Sequence, residues 1–220
     1  MELSIDTASD LASVALSREG AVVDEITWKC VRNHTVELLP AIDRLLTRGN
    51  VGKTDLTAVF VPTGPGMYTG LRVGIASAKG LARALGLPLV GVGRLELDAY
   101  PHAAFSGAIV AVHRAGRGDL AWASYAGNPW RELTAPQLSK PEELARLIGS
   151  PALVVGEVDD VLRAALAGTP GITCAAGDET GRAKALAALG YERLARGVPS
   201  EAALLRPVYL RPPAIGPKQK

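Results

Sequence analysis

Apolar and polar residues alternate over three short stretches at the start of the chain, and residues that favour turns separate them. The stretches cover residues 3–6, 12–17 and 21–28, with TASD and REG between them. Alternation with a period of two is typical of strands that bury one face, and Asp, Ser and Gly are common in tight turns. We therefore predict three consecutive β-strands.

The next segment, NHTVELLPAIDRLLTRG, changes to a helical period. Leu38, Ile42 and Leu45 recur every three or four residues and so share one helix face. Pro40 lacks an N–H and crowds the preceding turn, which predicts a kink there or a helix that begins near it. The elements predicted next are a strand at 56–61, a glycine-containing loop, a helix at 71–85 and a strand at 87–92.

The same order of elements returns more weakly in the second half. Strands are predicted at 107–114, at 119–127, near Trp130, at 152–156 and at 172–175, and helices at 140–149, 158–168 and 180–197. Because the order βββαβα occurs twice, we predict two stacked α/β lobes of one plan, 1–104 and 105–198, and a proline-rich surface tail, 199–220. The two halves share no sequence identity that supports a duplication, so this prediction rests on element order.

Composition narrows the class of protein. With 220 residues, 48% of them hydrophobic, the chain can bury one substantial core or two smaller ones. The formal net charge of +2 does not support nucleic-acid binding by this chain alone. Cys30 and Cys174 have no metal-ligand spacing and fit a reduced compartment. No apolar run reaches the roughly 20 residues of a membrane span, and the first residues do not resemble a signal peptide. These features predict a cytoplasmic protein.

The stretch VPTGPGMYTGLRVGIASAKGLARALG at 61–86 contains the loop with Gly64, Gly66 and Gly70, which we call the glycine loop. This loop raises the question of phosphate binding. Its glycines have one residue too many for the dinucleotide fingerprint, and GNVGKT at 49–54 lacks P-loop spacing. Glycines still allow close backbone approach, and a helix start offers N–H groups to an anion. The residues that could contact a nucleotide, phosphate or magnesium ion are Asp6, Thr7, Gly64, Gly66 and Thr69. Alternatively, Asp6 caps its own turn and the loop only lets two elements pack.

The sequence offers few residues that could form a metal site or act as a catalytic nucleophile. In HTVEL, Leu38 stands where a zinc helix would carry a second histidine after His34. No serine lies in a G-x-S-x-G elbow, and neither cysteine has a histidine nearby in the sequence. The sequence therefore predicts no metal and no cofactor.

Four segments together are similar to the bacterial TsaB family, also called YeaZ. They are SIDTASDLASVAL, NHTVELLPAIDRLL, GPGMYTGLRVGIASAKGLARALGLPLVGVGRLELDA and the terminal PVYLR. The resemblance is dense over residues 1–100 and faint over 105–200. It implies a fold of two tandem actin-like ATPase lobes of the RNase H-like group (ASKHA), each of βββαβα type.

The resemblance also implies a role. TsaB-like proteins resemble the catalytic TsaD subunit, have lost its active site, and serve as its partner in making threonylcarbamoyladenosine beside the anticodon of certain tRNAs. A noncatalytic subunit is therefore expected, with a TsaD-type subunit as direct partner and a TsaE-type ATPase acting through the complex. Contact with tRNA is expected only within the complex, a homodimer is allowed when the chain is alone, and no membrane is expected.

Two departures from the catalytic pattern agree with that role. Catalytic relatives carry a metal-binding His-x-x-x-His, where this chain has His34 and Leu38. Active ATPases usually carry an acidic residue at the end of the second lobe's first strand, and family members often show Asp-Ala-Arg in that region, where this chain has His113, Arg114 and Ala115. The alternative function is an ATP-dependent phosphotransferase or ATPase of the same superfamily. A peptidase would need a metal pair or a nucleophile, and the sequence shows neither.

Small side chains crowd the helix after the loop. Glycine inside a helix is less favourable than alanine by about 1 kcal/mol, so Gly74 and Gly80 predict close approach of another element. We expect this helix and the preceding one to form a helix-to-helix partner interface, with packing against the chain's own sheet as the alternative. The predicted interface residues are His34, Leu38, Ile42, Leu45, Leu71, Gly74, Ile75, Ala78 and Ala82.

Overall fold

The first sheet of the computed structural model contains five strands in the order β3-β2-β1-β4-β5. The structure describes residues 1–30, 33–175, 182–198 and 203–211. The first three strands pair antiparallel, and β4 and β5 continue the sheet in parallel with β1. The predicted strands are confirmed, with bounds β1 Glu2–Asp6, β2 Leu11–Arg18, β3 Ala21–Lys29, β4 Ala58–Gly64 and β5 Leu89–Gly93.

The second sheet repeats this plan. Its order is β10-β9-β6-β7-β8, which places each strand where its counterpart lies in the first sheet. Its bounds are β6 Ala108–Arg114, β7 Leu120–Ala126, β8 Arg131–Ser139, β9 Ala152–Gly156 and β10 Ile172–Cys174. Only a short piece was expected near Trp130, yet β8 has nine residues. It is an edge strand, mostly exposed, so it lacks a clear alternation and tolerates Pro136.

Six α-helices connect and cover the sheets within the described residues. They are α1 His34–Arg48, α2 Tyr68–Leu85, α3 Arg94–Ala99, α4 Pro141–Leu147, α5 Asp160–Leu166 and α6 Ala183–Ala195. The alternative of a helix beginning near Pro40 is wrong, because α1 begins at His34 and continues through the proline. Burial of Leu38, Ile42 and Leu45 on one face supplies packing that offsets the missing donor.

The helix α3 was not predicted, because six residues are too few to show a helical period. The first two residues of the last predicted helix, 180–197, lie outside the described residues. Residues 199–202 and 212–220 of the predicted tail also lie outside them. None of the helices described here is long and apolar enough to span a bilayer.

Two helices join the lobes. Leu186 and Leu189 of α6 pack with Phe60 of the first sheet, and a Cβ built at Gly190 would lie 2.5 Å from the Phe60 ring. Conversely, Leu95 of α3 packs with Ile109 of the second sheet. We retain 1–104 and 105–198 as the proposed lobes, with α3 and α6 between their sheets.

Candidate functional site

Asp6 ends β1 at the cleft between the lobes, and it is 1% exposed. Its Oδ2 accepts a hydrogen bond from Nε of Arg182 at 2.7 Å, which is also an ion pair. Its Oδ1 accepts from the backbone N–H of Ala8 at 2.8 Å, the pattern of an Asx turn. Both carboxylate oxygens therefore have partners within the chain, and the turn-capping alternative for Asp6 describes the geometry.

The ion pair extends into a row of alternating charges across the cleft. Arg182 Nη1 lies 3.5 Å from Asp98 Oδ1, and Arg94 Nε lies 3.4 Å from Asp98 Oδ2. Arg94 then donates from Nη2 to Glu157 Oε1 at 2.8 Å. The side chains of Asp6, Arg94 and Asp98 are at most 9% exposed. We call Asp6, Arg182, Asp98, Arg94 and Glu157 the charge row.

His113 and Arg114 stand at the outer end of the charge row. Nδ1 of His113 lies 2.9 Å from Oε2 of Glu157 and 2.9 Å from Nη1 of Arg94. The backbone N–H of Arg114 donates to the same Glu157 oxygen at 3.0 Å. The end of β6 therefore carries basic groups that pair with a carboxylate supplied by the loop after β9.

Burial and neighbouring charges move the pKa values of the charge row in different directions. Burial raises the pKa of Glu157, but the hydrogen bond from His113 and the charge of Arg94 outweigh it and hold the pKa well below its usual range. Burial raises the pKa of Asp98 above its ordinary value, against the opposing charges of Arg94 and Arg182. Burial lowers the pKa of Arg182, but Asp6 and Asp98 raise it by more.

The Glu157 pKa predicts a pH dependence. Because the folded pKa is below the ordinary 4.5, this carboxylate contributes stability above about pH 4.5, and the contribution is lost as the pH falls. Glu157→Gln should be less stable than the wild type at neutral pH, with the difference shrinking below that value. The raised pKa of Asp98 gives a pH dependence of the opposite sign. Asp98 is present in both proteins, so its contribution largely cancels in the difference between their stabilities.

Urea unfolding from about pH 7 to about pH 3 measures this difference. Glu142→Gln, at an exposed position in the first turn of α4, is the matched control and should follow the wild type at every pH. A constant offset between Glu157→Gln and the wild type across the range would contradict the pairing described here.

Two cavities flank the charge row, and Arg94, Glu157 and Arg182 line both. One has a volume of 540 Å³ and also contacts Tyr100 and His102. The other has a volume of 590 Å³ and reaches the polar residues beside Asp6 and the end of β6. In the part of the chain that the structure describes, no group of three or more His, Cys, Asp or Glu side chains could hold a metal ion.

The glycine loop packs against its own chain. A Cβ built at Gly66 would lie 2.5 Å from the carbonyl oxygen of Ala8, and one at Gly64 would lie 2.7 Å from that of Val208. Thr7 is buried and donates from Oγ1 to the carbonyl of Gly70 at 2.7 Å. These contacts explain the glycines as positions of close backbone approach. Thr69 is exposed. Phosphate contact at these residues remains a prediction.

The residues predicted for the partner interface are buried within this chain. Burial alone is sufficient to explain their apolar periodicity, and their contact with a partner stays a prediction. The residues are His34, Leu38, Ile42, Leu45, Leu71, Gly74, Ile75, Ala78 and Ala82, each buried within the chain. A Cβ at Gly74 would overlap the Thr7 hydroxyl. By contrast, no described atom lies within 4 Å of a Cβ at Gly80.

The outward side of α1 and α2 carries a different set of apolar residues. Val36 is 72% exposed and Leu39 is 56% exposed, both on α1, and Tyr68 at the start of α2 is 38% exposed. A groove of 300 Å³ between the helices is lined by Leu39 and Val73, among others. We call this surface the outer helix face.

The charge row was missed in the sequence, apart from Asp6. Arg94 and Asp98 are four residues apart on the unpredicted α3, and Glu157 and Arg182 lie in loops of the weakly patterned second half. Their mutual distances depend on tertiary structure. The available signal was local: Arg94, Glu96 and Asp98 interrupt an otherwise apolar stretch next to a strand.

Comparisons with known proteins agree with this architecture. The profile of the family described as "TsaD: tRNA N6-adenosine threonylcarbamoyltransferase" matches residues 11–167. A Bacillus subtilis protein named tRNA threonylcarbamoyladenosine biosynthesis protein TsaB is 33% identical, with 95% of this chain and 93% of that protein aligned. The structure of YeaZ from Pseudomonas aeruginosa is 25% identical with a TM-score of 0.76, covering 95% of this chain and 99% of that one.

A more distant structure supports the fold alone. Component A of (R)-2-hydroxyglutaryl-CoA dehydratase from Acidaminococcus fermentans has a TM-score of 0.53 at 13% identity, over 88% of this chain and 98% of that one. The predicted fold class, two tandem actin-like lobes, is thus confirmed. With a relative of more than 30% identity aligned over nearly its whole length, the chain belongs to the TsaB (YeaZ) family.

Proposed function

We propose that the chain is a noncatalytic partner subunit of a TsaD-type enzyme that installs threonylcarbamoyl on the adenosine next to the anticodon of tRNA. The family supports the pathway, because the Bacillus subtilis relative is named for threonylcarbamoyladenosine biosynthesis. The observation that carries the noncatalytic role is the ion pair between Asp6 and Arg182, 2.7 Å long, at the end of β1.

The chemistry at Asp6 disfavours the ATPase alternative. A carboxylate that holds magnesium must present free oxygens to the cation, whereas the Asp6 oxygens bind Arg182 and the Ala8 N–H. The corresponding end of β6 carries His113 and Arg114, which do not ligate magnesium as a carboxylate does. Arg182 therefore supplies the positive charge at this point of the cleft.

The outer helix face is the proposed docking surface for the TsaD-type subunit. Val36 and Leu39 are exposed apolar residues on a helix whose other face is fully packed. Exposed apolar side chains beside a surface groove are typical of protein–protein contacts. The buried residues of the same helices pack against the first sheet and so fix the position of the outer helix face. In the absence of the catalytic subunit, the same face would support a homodimer.

The docking surface can be tested with a matched pair of variants. Leu39→Asp places a charge on the outer helix face, whereas Leu147→Asp makes the same change at a leucine of similar exposure on α4, 56% against 53%. We expect Leu39→Asp to weaken binding to the TsaD-type subunit at least about tenfold, a loss typical of a central interface residue. Leu147→Asp should bind like the wild type.

Isothermal titration calorimetry measures both affinities, and circular dichroism checks that both variants fold. Equal binding by the two variants would place the interface elsewhere. The TsaE-type ATPase and tRNA are proposed to meet this chain only within the complex, in the cytoplasm. The modest net charge of +2 fits such an indirect role in tRNA binding.

A further inference from the structure

The described end of the chain, residues 203–211, contacts both lobes. Leu205 is 9% exposed and lies in the core that the first sheet forms with α1 and α2. Arg211 forms an ion pair with Asp119 and donates to the carbonyl of Gly116 at 3.2 Å. Both of these partners belong to the loop between β6 and β7 of the second sheet. We call residues 203–211 the strap.

The strap contacts the first lobe at the glycine loop. The backbone N–H of Val208 donates to the carbonyl of Thr63 at 2.7 Å. Gly64 has a φ of +109°, and a Cβ there would lie 2.7 Å from the Val208 carbonyl oxygen. The position therefore needs glycine both for its backbone conformation and for the passage of the strap.

Tyr209 fixes the strap to the first turn of α2. Its ring lies 5.1 Å from that of Tyr68, tilted by 33°. Arg72 donates from Nε to the Tyr209 hydroxyl at 3.2 Å, and its guanidinium lies 3.8 Å from the Tyr68 ring centroid. Aromatic pairs and cation–π contacts each add directional attraction to the area that they bury.

The connection between the two anchors is short. Arg211 follows Tyr209 by two residues, which can span at most about 7 Å when extended. The start of α2 and the β6–β7 loop therefore cannot move far apart while the contacts of both Tyr209 and Arg211 are kept. On the second lobe, the Asp119 carboxylate that holds Arg211 also pairs with Lys140 at 2.5 Å, so the loop is itself fixed to the start of α4.

We propose that the strap limits the opening of the cleft between the two lobes. The helices α3 and α6 join the lobes through apolar packing on the faces of the sheets. The strap joins them at another place, from the carboxyl end of β4 to the loop after β6. Release of Arg211 from Asp119 allows the lobes to separate at this side. This device does not depend on the proposed function.

The distance between the lobes tests the proposal in the full chain. Spin labels are placed at Ala84→Cys on α2 of the first lobe and at Val161→Cys on α5 of the second lobe. Both positions are exposed and can be labelled. The background carries Cys174→Ser and retains the fully buried Cys30. Double electron–electron resonance should show a longer and broader distance distribution in Arg211→Ala than in the wild type. Arg211→Glu should lengthen the distance between the labels further, because the substitution places a second carboxylate beside Asp119.

Hydrogen exchange gives an independent reading. Amides of residues 115–119 should exchange about two- to fivefold faster in Arg211→Ala, the range expected for loss of one partly exposed ion pair. Arg211→Ala leaves Asp119 paired with Lys140, so the variant leaves no unpaired carboxylate at that site.

Arg196 provides the control, because it is 72% exposed and, directly after the end of α6, pairs with Glu192 of that helix. Arg196→Ala and Arg196→Glu should leave the distance between the lobes unchanged. An Arg211→Glu distribution identical to that of the wild type, or an equal change in the Arg196 variants, would overturn the proposal.

Discussion

Replacing Arg182 by methionine is expected to lower the free energy of unfolding by about 3 kcal/mol, the range for breaking a buried ion pair on one side. Asp6 is 1% exposed and would keep only the N–H of Ala8 as a partner, while Asp98 would keep Arg94. The loss arises from the desolvated carboxylate left behind, because methionine preserves much of the apolar packing of the arginine stem. Urea unfolding at neutral pH measures it.

Two further variants separate this effect from lost packing. Arg196→Met makes the same change at a residue that is 72% exposed, and it should cost less than about 1 kcal/mol. Adding Asp6→Asn to Arg182→Met removes the stranded charge and should restore part of the stability, since residues in direct contact are coupled. If Arg182→Met were as stable as the wild type, the charge row would not organise the cleft.

Gly70→Ala is expected to destabilise the chain by about 3 kcal/mol, at the upper end of the usual range for overpacking. A Cβ at Gly70 would overlap the carbonyl oxygen of Thr7, which is backbone and cannot turn aside. The same region holds the hydrogen bond from Thr7 Oγ1 to the Gly70 carbonyl. The substitution would therefore push the first turn of α2 away from the end of β1. Thermal and urea unfolding measure the loss.

Gly80→Ala is the matched control on the same helix. Gly80 is exposed, and a Cβ there meets no described atom within 4 Å. Alanine should stabilise the helix by up to about 1 kcal/mol because it restricts the unfolded chain and favours helix. Opposite signs for the two variants are the expected result. Similar destabilisation by both would mean that α2 responds to its helical propensity and not to contact with Thr7.

Local patterns in the sequence were sufficient for most of the fold. Apolar and polar residues alternate along β1, β2 and β3, so these strands were readable, although β1 and β2 are buried along almost their whole length and only β3 alternates in burial. The repeated order of elements predicted two sheets of one plan. Edge exposure concealed the length of β8, and α3 is too short to show a period. These errors follow from the length and environment of the elements.

The candidate site was less predictable, because it depends on contacts between distant residues. Asp6 was identified from its position at a strand end, but its partner Arg182 lies 176 residues later in the chain. Likewise, small and apolar residues on α1 and α2 suggested an interface, and the structure buries those side chains against the first sheet. A helical period shows that one face is covered but does not say by what.

The proposed function is tested most directly by threonylcarbamoyl transfer to tRNA. A TsaD-type subunit and a TsaE-type ATPase from the same organism would be supplied with the threonylcarbamoyl adenylate and tRNA, with and without this chain. We predict transfer that depends on the chain, is lost with Leu39→Asp and is retained with Leu147→Asp. Transfer at the same rate without the chain, with all proteins shown to be folded, would contradict it.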